Sequence, residues 1–245
     1  VELSLEIPTS HCKEFLPLCD FPFGLAQLFL DTPGRDTTLR EYRETHYECL
    51  LDNGMYELGE SLTIDEILEA TTRCRPIAVI APDWMDDALR SYEAAVSLKT
   101  ERNMGVSPIR SYVGWTVGAV VQGLDLEERI KCFQMMQDEG FSPICFPFRT
   151  PRGETIGHLM ARGMLKEGEW YHLLGLQDLL ELRWQFPGRW SIDTGKPFKG
   201  FPLDKTASIR GHGKLKLHVP LNTDDRRIAC YNIAYMRKIM QGGMP

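Results

Sequence analysis

Several short apolar runs in this 245-residue chain stop at a residue able to do chemistry: Asp31, Asp52, Asp83, Gln122, Arg149, Gly175 and Asp193. Asp52 and Asp193 stand out because each is followed by residues that open space, Asn53-Gly54 and Thr194-Gly195, where glycine permits positive φ and close approach to the backbone. Two carboxylates meeting over a small polar substrate can divide labour, one attacking as a nucleophile while the other moves a proton. That division suits an anomeric carbon, where the bond breaks through an oxocarbenium-like state and the sugar rests covalently on a carboxylate. Asp83 and Gln122 add an acceptor and a mixed donor–acceptor, the combination needed to read a purine edge. Aspartate after a strand also caps the next helix or forms a turn, which is the competing reading for Asp31 and Asp83.

Such groups converge only if the elements carrying them are strands of one sheet. Eight apolar runs have strand length: 2–8, 24–30, 47–51, 76–81, 115–121, 141–147, 170–174 and 188–192. Segments of helical period lie between most of them. Thr63 with Glu66 makes a capping box opening a helix to about Arg73, and 83–98 reads as another. A third starts at Asp125 and stops at Gly140, and shorter ones cover 154–167 and 177–183. In a last helix, 224–241, Ile228, Tyr231, Tyr235 and Ile239 form a stripe that reads as core. Strand and helix alternating in steps of about 30 residues predict an α/β fold, a (β/α)8 TIM barrel, as one domain over 1–245 with reactive groups at the C-terminal rim. No G-x-G-x-x-G follows a predicted strand, which disfavours an open doubly wound sheet. Two long connections, 100–114 and 195–222, have the length of binding loops.

Composition is that of a water-soluble protein, with 43% hydrophobic and 25% charged residues and no apolar run near the ~20 residues that span a bilayer. A soluble, cytoplasmic protein without membrane association is expected. The seven cysteines are scattered, with no C-x-C or C-x-x-C, so they read as small buried hydrophobes in a reducing compartment. His158 and His172, in apolar settings, read as satisfied core histidines. The formal charge is −6, yet six basic residues fall between Lys196 and Lys216 against one acid, Asp204. Lys196, Lys199, Arg210, Lys214 and Lys216, with Arg102 and Arg110 of the other long connection, could track a phosphate backbone or be a solvated face.

Asp52-Asn53-Gly54-Met55-Tyr56-Glu57, Val120-Val121-Gln122-Gly123, His172-Leu173-Leu174-Gly175 and Ser191-Ile192-Asp193-Thr194 are similar, in order and spacing over about residues 45–200, to the tRNA-guanine transglycosylases. Those enzymes carry Asp-Ser-Gly-Gly-Phe-Gln, Val-Gln-Gly, Leu-Met-Gly and a nucleophilic Asp at these places. With Pro8-Thr9-Ser10 and Pro82-Asp83, the chain resembles more closely the DpdA-type branch of phages and bacteria, which replaces guanine in DNA with a 7-deazaguanine. The resemblance implies Asp193 as nucleophile at C1′ and Asp52 as acid/base. It implies Asn53, Gly54, Asp83, Gln122, Gly123 and Gly175 around the base edge, with Tyr56 stacking on its face. It implies DNA and a base such as 7-cyano-7-deazaguanine as partners, the host cytoplasm as location for a phage protein, and a homodimer as in many relatives. No metal or redox cofactor is called for. The late Cys-x-Cys-x-x-Cys and His zinc site of the tRNA enzymes has no counterpart here, so no zinc subdomain is expected, and Met55 stands where the family has glycine. The same exchange on tRNA, and a barrel that binds deazapurine or nucleic acid without catalysis, are the alternative readings.

Overall fold

The structure, a computed structural model, describes residues 1–30, 48–74, 76–104, 114–205 and 220–242. Asp31, Arg110, Arg210, Lys214 and Lys216 lie outside the described residues.

Alternation along each strand separates two cores. In the last strand, β8 (Arg189–Thr194), Trp190 and Ile192 point one way while Ser191 and Asp193 point the other. Trp190 and Ile192 join the larger apolar cluster, which also takes Ile67, Phe133 and Ile233 from helices and therefore lies between sheet and helices. A smaller cluster draws only on strands and the residues beside them. Phe23, Leu50, Ile80, Val120, Cys145 and Trp170 belong to it, and it fills the barrel interior. Each fully buried Leu or Ile in these cores contributes about 1.5–3 kcal/mol.

The other strands are β1 (Glu2–Leu5), β2 (Phe21–Leu25), β3 (Cys49–Asp52), β4 (Pro76–Ile80), β5 (Thr116–Val120), β6 (Ile144–Pro147) and β7 (Trp170–Leu174). They pair in sequence order, all parallel, and close as β1 meets β8, giving the eight-stranded barrel of the TIM type. Register sets Asp193 beside Ser4 and Asp52 beside Leu25. Helices α1 (Cys12–Phe15), α2 (Met55–Leu58), α3 (Ile64–Thr71), α4 (Ala88–Met104), α5 (Leu126–Glu139), α6 (Arg152–Ala161) and α7 (Thr223–Met240) lie along the connections. Among the described residues no helix is long and apolar enough to cross a membrane.

Local signals place the helix ends well. Thr63 accepts from the Glu66 N–H while the Glu66 carboxylate accepts from the Thr63 N–H and hydroxyl, and these last two bonds hold that carboxyl below its ordinary pKa. Asp125 caps α5, and Gly140, at φ 74°, ends it.

Several boundaries differ from expectation, each for a packing reason. The second strand runs over 21–25, not 24–30, because the chain folds back at Ala26–Leu28 and lays the Phe29 ring on Gly24, where a Cβ would come within 3.1 Å. The Leu28-Phe29-Leu30 run is outer core, not strand. Helix α4 starts at Ala88, not 83, since residues 82–87 form a loop in which Asp86 takes φ 62°. Leu179–Arg183 is a 3-10 turn. On α7 the buried face is Ala229, Asn232, Ile233, Met236 and Ile239. Tyr231 is exposed, stacked on Tyr235 at 6.3 Å, so the expected stripe is rotated by about one residue. His158 is exposed on α6 rather than in the core.

Candidate active site at the mouth of the barrel

Three carboxylates gather at the C-terminal end of the barrel. Asp52 ends β3, Asp193 lies next to the end of β8, and Asp83 follows β4. All three are nearly buried. Below them sits the fully buried Cys145 thiol of β6. Burial, and then the charges of Asp52, Asp83 and Asp193, push it well above the ordinary thiol value. One thiol feeling all three acids marks their common neighbourhood.

Asp193 is held on one side only. Its Oδ1 accepts the Gly175 N–H at 2.8 Å and lies 3.0 Å from His172 Nε2, while Oδ2 has no hydrogen-bond partner among the described residues. Beneath it runs a buried polar chain. Trp170 Nε1–H donates to Ser191 Oγ at 2.6 Å, and Ser191 Oγ is 2.8 Å from His172 Nδ1. The indole can only donate. The serine therefore accepts from it and gives its own proton to His172 Nδ1, the nearer acceptor compared with the Tyr171 carbonyl at 3.5 Å. Assigned from this network, His172 carries its proton on Nε2 and donates it to Asp193. The ring stacks on Phe23 at 5.9 Å, which fixes its plane.

On the other side of the mouth, Asp83 accepts from Asn53 Nδ2 on Oδ1 (2.8 Å) and from Gln122 Nε2 on Oδ2 (2.6 Å). Burial raises its pKa, and these two donors partly oppose that. Asn53 also donates to the Ala81 carbonyl and accepts the Met55 N–H, so its amide is fully engaged within the protein. Asn53 orients Asp83 instead of facing the mouth. Gln122 is engaged at both ends, its Oε1 accepting the Asp86 N–H at 3.3 Å.

The glycines have specific reasons to be glycine. Gly54, at φ 78°, donates its N–H to Asp52 Oδ2. A Cβ there would come within 2.6 Å of Gln27 Oε1, so the space it opens is filled by that amide. Gln27 Oε1 is buried without a hydrogen-bond partner among the described residues. Gly123, at φ 145°, packs on the start of α5, where a Cβ would lie 2.9 Å from Arg129 N. Gly175, at φ 71°, spends its N–H on Asp193. Its carbonyl accepts from Arg152 Nη2 at 2.7 Å, and Arg152 forms a bidentate buried pair with Glu181 at 2.9 and 2.6 Å. The β7–β8 loop carrying the Asp193 donor is thus anchored from below.

Tyr56 stands on α2 at the rim, 37% exposed, edge-on to Phe148 at 5.1 Å. Lys196 and Lys199 follow β8 on the same rim. Burial, then the charge of Lys199, lowers the Lys196 ammonium to about 8, and burial also lowers Lys199. Arg102 is elsewhere. It lies in the last turn of α4, 5.2 Å from the ring of Trp115 just before β5, at the opposite end of the barrel. A sequence reading grouped it with the phosphate contacts because the loop it opens is long, but an α-to-β connection emerges away from the mouth.

A cavity of about 660 Å³ opens at that opposite end, lined by Phe21, Trp170 and Arg189 among others. Two of its charged groups are paired, Arg189 with Glu2 and Asp20 with Arg237, its third is Glu48, and it holds none of the three acids. The three acids stand at the mouth, at the other end of the barrel.

His172 is buried and satisfied, as expected of a core histidine, but one of its two bonds holds Asp193, a pairing across 21 residues that no local signal marks. Among the described residues no group of three His, Cys, Asp or Glu side chains is placed to hold a metal ion. No protein-family model matches this chain, and no curated protein matches it. Fold and site together describe a parallel α/β barrel with an acidic mouth and one half-tethered carboxylate.

Proposed function

We infer that this chain is a base-exchanging transglycosylase that replaces guanine in DNA with a 7-deazaguanine base such as 7-cyano-7-deazaguanine. The observation that carries the reading is the state of Asp193. Oδ1 is fixed by Gly175 and His172, and Oδ2 has no partner among the described residues, in a mouth shared with Asp52 and Asp83. In the reaction Oδ2 attacks C1′ as the C1′–N9 bond breaks. Guanine leaves with a proton from Asp52, and the sugar stays on Asp193 as an ester. The incoming base loses its proton to Asp52 and displaces Asp193, which restores both carboxyls.

Asp83 suits an N–H edge, since each of its oxygens holds one donor and keeps a further lone pair. Tyr56 offers a ring to stack on the base. Met55 stands where the resembling family has glycine. The target nucleotide must leave the duplex stack, which costs a few kcal/mol.

The test is exchange of labelled guanine into DNA and tRNA side by side, with single-turnover trapping of enzyme-linked nucleic acid. Exchange on DNA is expected, and Asp193→Asn is expected to abolish the trapped adduct while base binding stays within about twofold. Exchange confined to tRNA moves the substrate. Adduct formation by Asp193→Asn removes that residue from the nucleophile's role, and binding without exchange leaves a non-catalytic barrel.

A further inference from the structure

We propose that Arg149 is the residue that grips the backbone phosphate of the target DNA strand, an assignment that rests on the nucleic-acid reading of the mouth. Arg149 follows β6 at the same rim as Asp52 and Asp83. Its guanidinium lies 4.9 Å from the Tyr56 ring and 5.8 Å from the Phe148 ring, with Nη1 3.2 Å from Met85 Sδ. Three separate loops, after β3, β4 and β6, therefore hold one cation.

What is missing around it is a counter-charge. Arg129, Arg152 and Arg189 are paired with Glu154, Glu181 and Glu2. Arg149 is exposed and has no carboxylate within ion-pair distance among the described residues. It stands beside a mouth carrying three acids, so a polyanion approaching that mouth meets repulsion unless a cation at the lip offsets it. The way it is held suits this task. Aromatic rings engage the flat face of a guanidinium, while its N–H donors lie in the plane and stay available for the two oxygens of a phosphate. The thioether is a weak acceptor that a phosphate oxygen readily replaces.

Position links this grip to the reacting carbon. The Phe148 ring lies 3.1 Å from where a Cβ on Gly175 would stand, and the Gly175 N–H is what holds Asp193. A phosphate captured by Arg149 is fastened to the same packed unit that orients the nucleophile. The flanking phosphate and C1′ are then aligned together.

The test is fluorescence anisotropy of a guanine-containing single-stranded oligodeoxynucleotide, and of the RNA strand of the same sequence, over a salt series, comparing the wild type with Arg149→Met and Arg149→Lys. Methionine keeps apolar contact with the rings, and thermal melting checks that each variant folds. In Arg149→Met the slope of log K against log salt should become shallower by about 0.7, the value of one phosphate contact on a single strand. Affinity at low salt should fall about tenfold while binding of free 7-cyano-7-deazaguanine stays unchanged. Lysine should restore the slope but only part of the affinity. An unchanged slope in Arg149→Met, with the wild type binding DNA, overturns the phosphate grip and leaves the base-exchange reading standing. An Arg149-dependent slope seen with RNA only keeps the grip and removes DNA as the substrate. A wild type that binds neither strand overturns both.

Discussion

Asp193 owes its geometry to His172. The ring is 0% exposed and bonded through both nitrogens, to Asp193 and to Ser191, and Ser191 is held in turn by Trp170. Phenylalanine at 172 would fill the volume and keep the stack on Phe23 while removing both hydrogen bonds. Asp193 would then hang from Gly175 alone and swing. A misplacement of about 1 Å in a reacting group costs on the order of 10²-fold in rate. His172→Phe is therefore expected to lower kcat about 100-fold with KM nearly unchanged. It should also cost about 1–3 kcal/mol of stability, because the Ser191 hydroxyl loses its acceptor. Pre-steady-state kinetics and urea unfolding measure the two effects, and a fall in KM to match kcat would count against a positioning role.

At the level of elements, the segment after β7 is stiffened by a buried ion pair. Arg152 on α6 reaches under the loop to Leu174 O and Gly175 O and is neutralised by Glu181 of the 3-10 turn Leu179–Arg183. Glu181 also accepts from the Gln177 and Asp178 N–H groups, so every oxygen of the pair is used. Arg152→Met leaves a buried carboxylate alone and should cost about 3–5 kcal/mol in urea unfolding. Adding Glu181→Leu should recover part of that stability, since it removes the lone carboxylate but leaves the Leu174 and Gly175 carbonyls and the Gln177 and Asp178 N–H groups without these partners. Turnover in the double variant should stay low, because nothing then holds the Gly175 carbonyl and its N–H drifts from Asp193. Recovery of turnover together with stability would mean the pair serves folding only.

Across the whole molecule, barrel closure forces three acids into one mouth and leaves a record in pH. Burial raises the Asp83 pKa in the fold above its unfolded value of about 3.9. The folded chain then binds that proton more tightly than the unfolded chain. The stabilising contribution is fully present below about pH 4 and is lost as pH rises through the folded pKa. Asp83→Asn removes this titration. Its melting temperature minus that of the wild type should therefore rise as pH is taken upward from about 4, then level off. A difference independent of pH would show that the donors from Asn53 and Gln122 cancel the cost of burial.

Much of this was legible in the residues themselves. Alternation marked the strands, capping residues marked α3 and α5, and an apolar run ending in Asp marked 52 and 193, because these signals involve neighbours a few residues apart. What could not be read is how polar groups are spent on one another. Asn53 bonds Asp83 across 30 residues, His172 bonds Asp193 across 21, and Arg152 grips Gly175 across 23. The end of the barrel at which Arg102 emerges, and the fold-back that shortens β2, depend likewise on closure. The sequence by itself determined which groups stand at strand ends. Only the tertiary structure decided which remain available for chemistry, because a buried donor or acceptor must find a partner and the barrel sets which partners lie within reach.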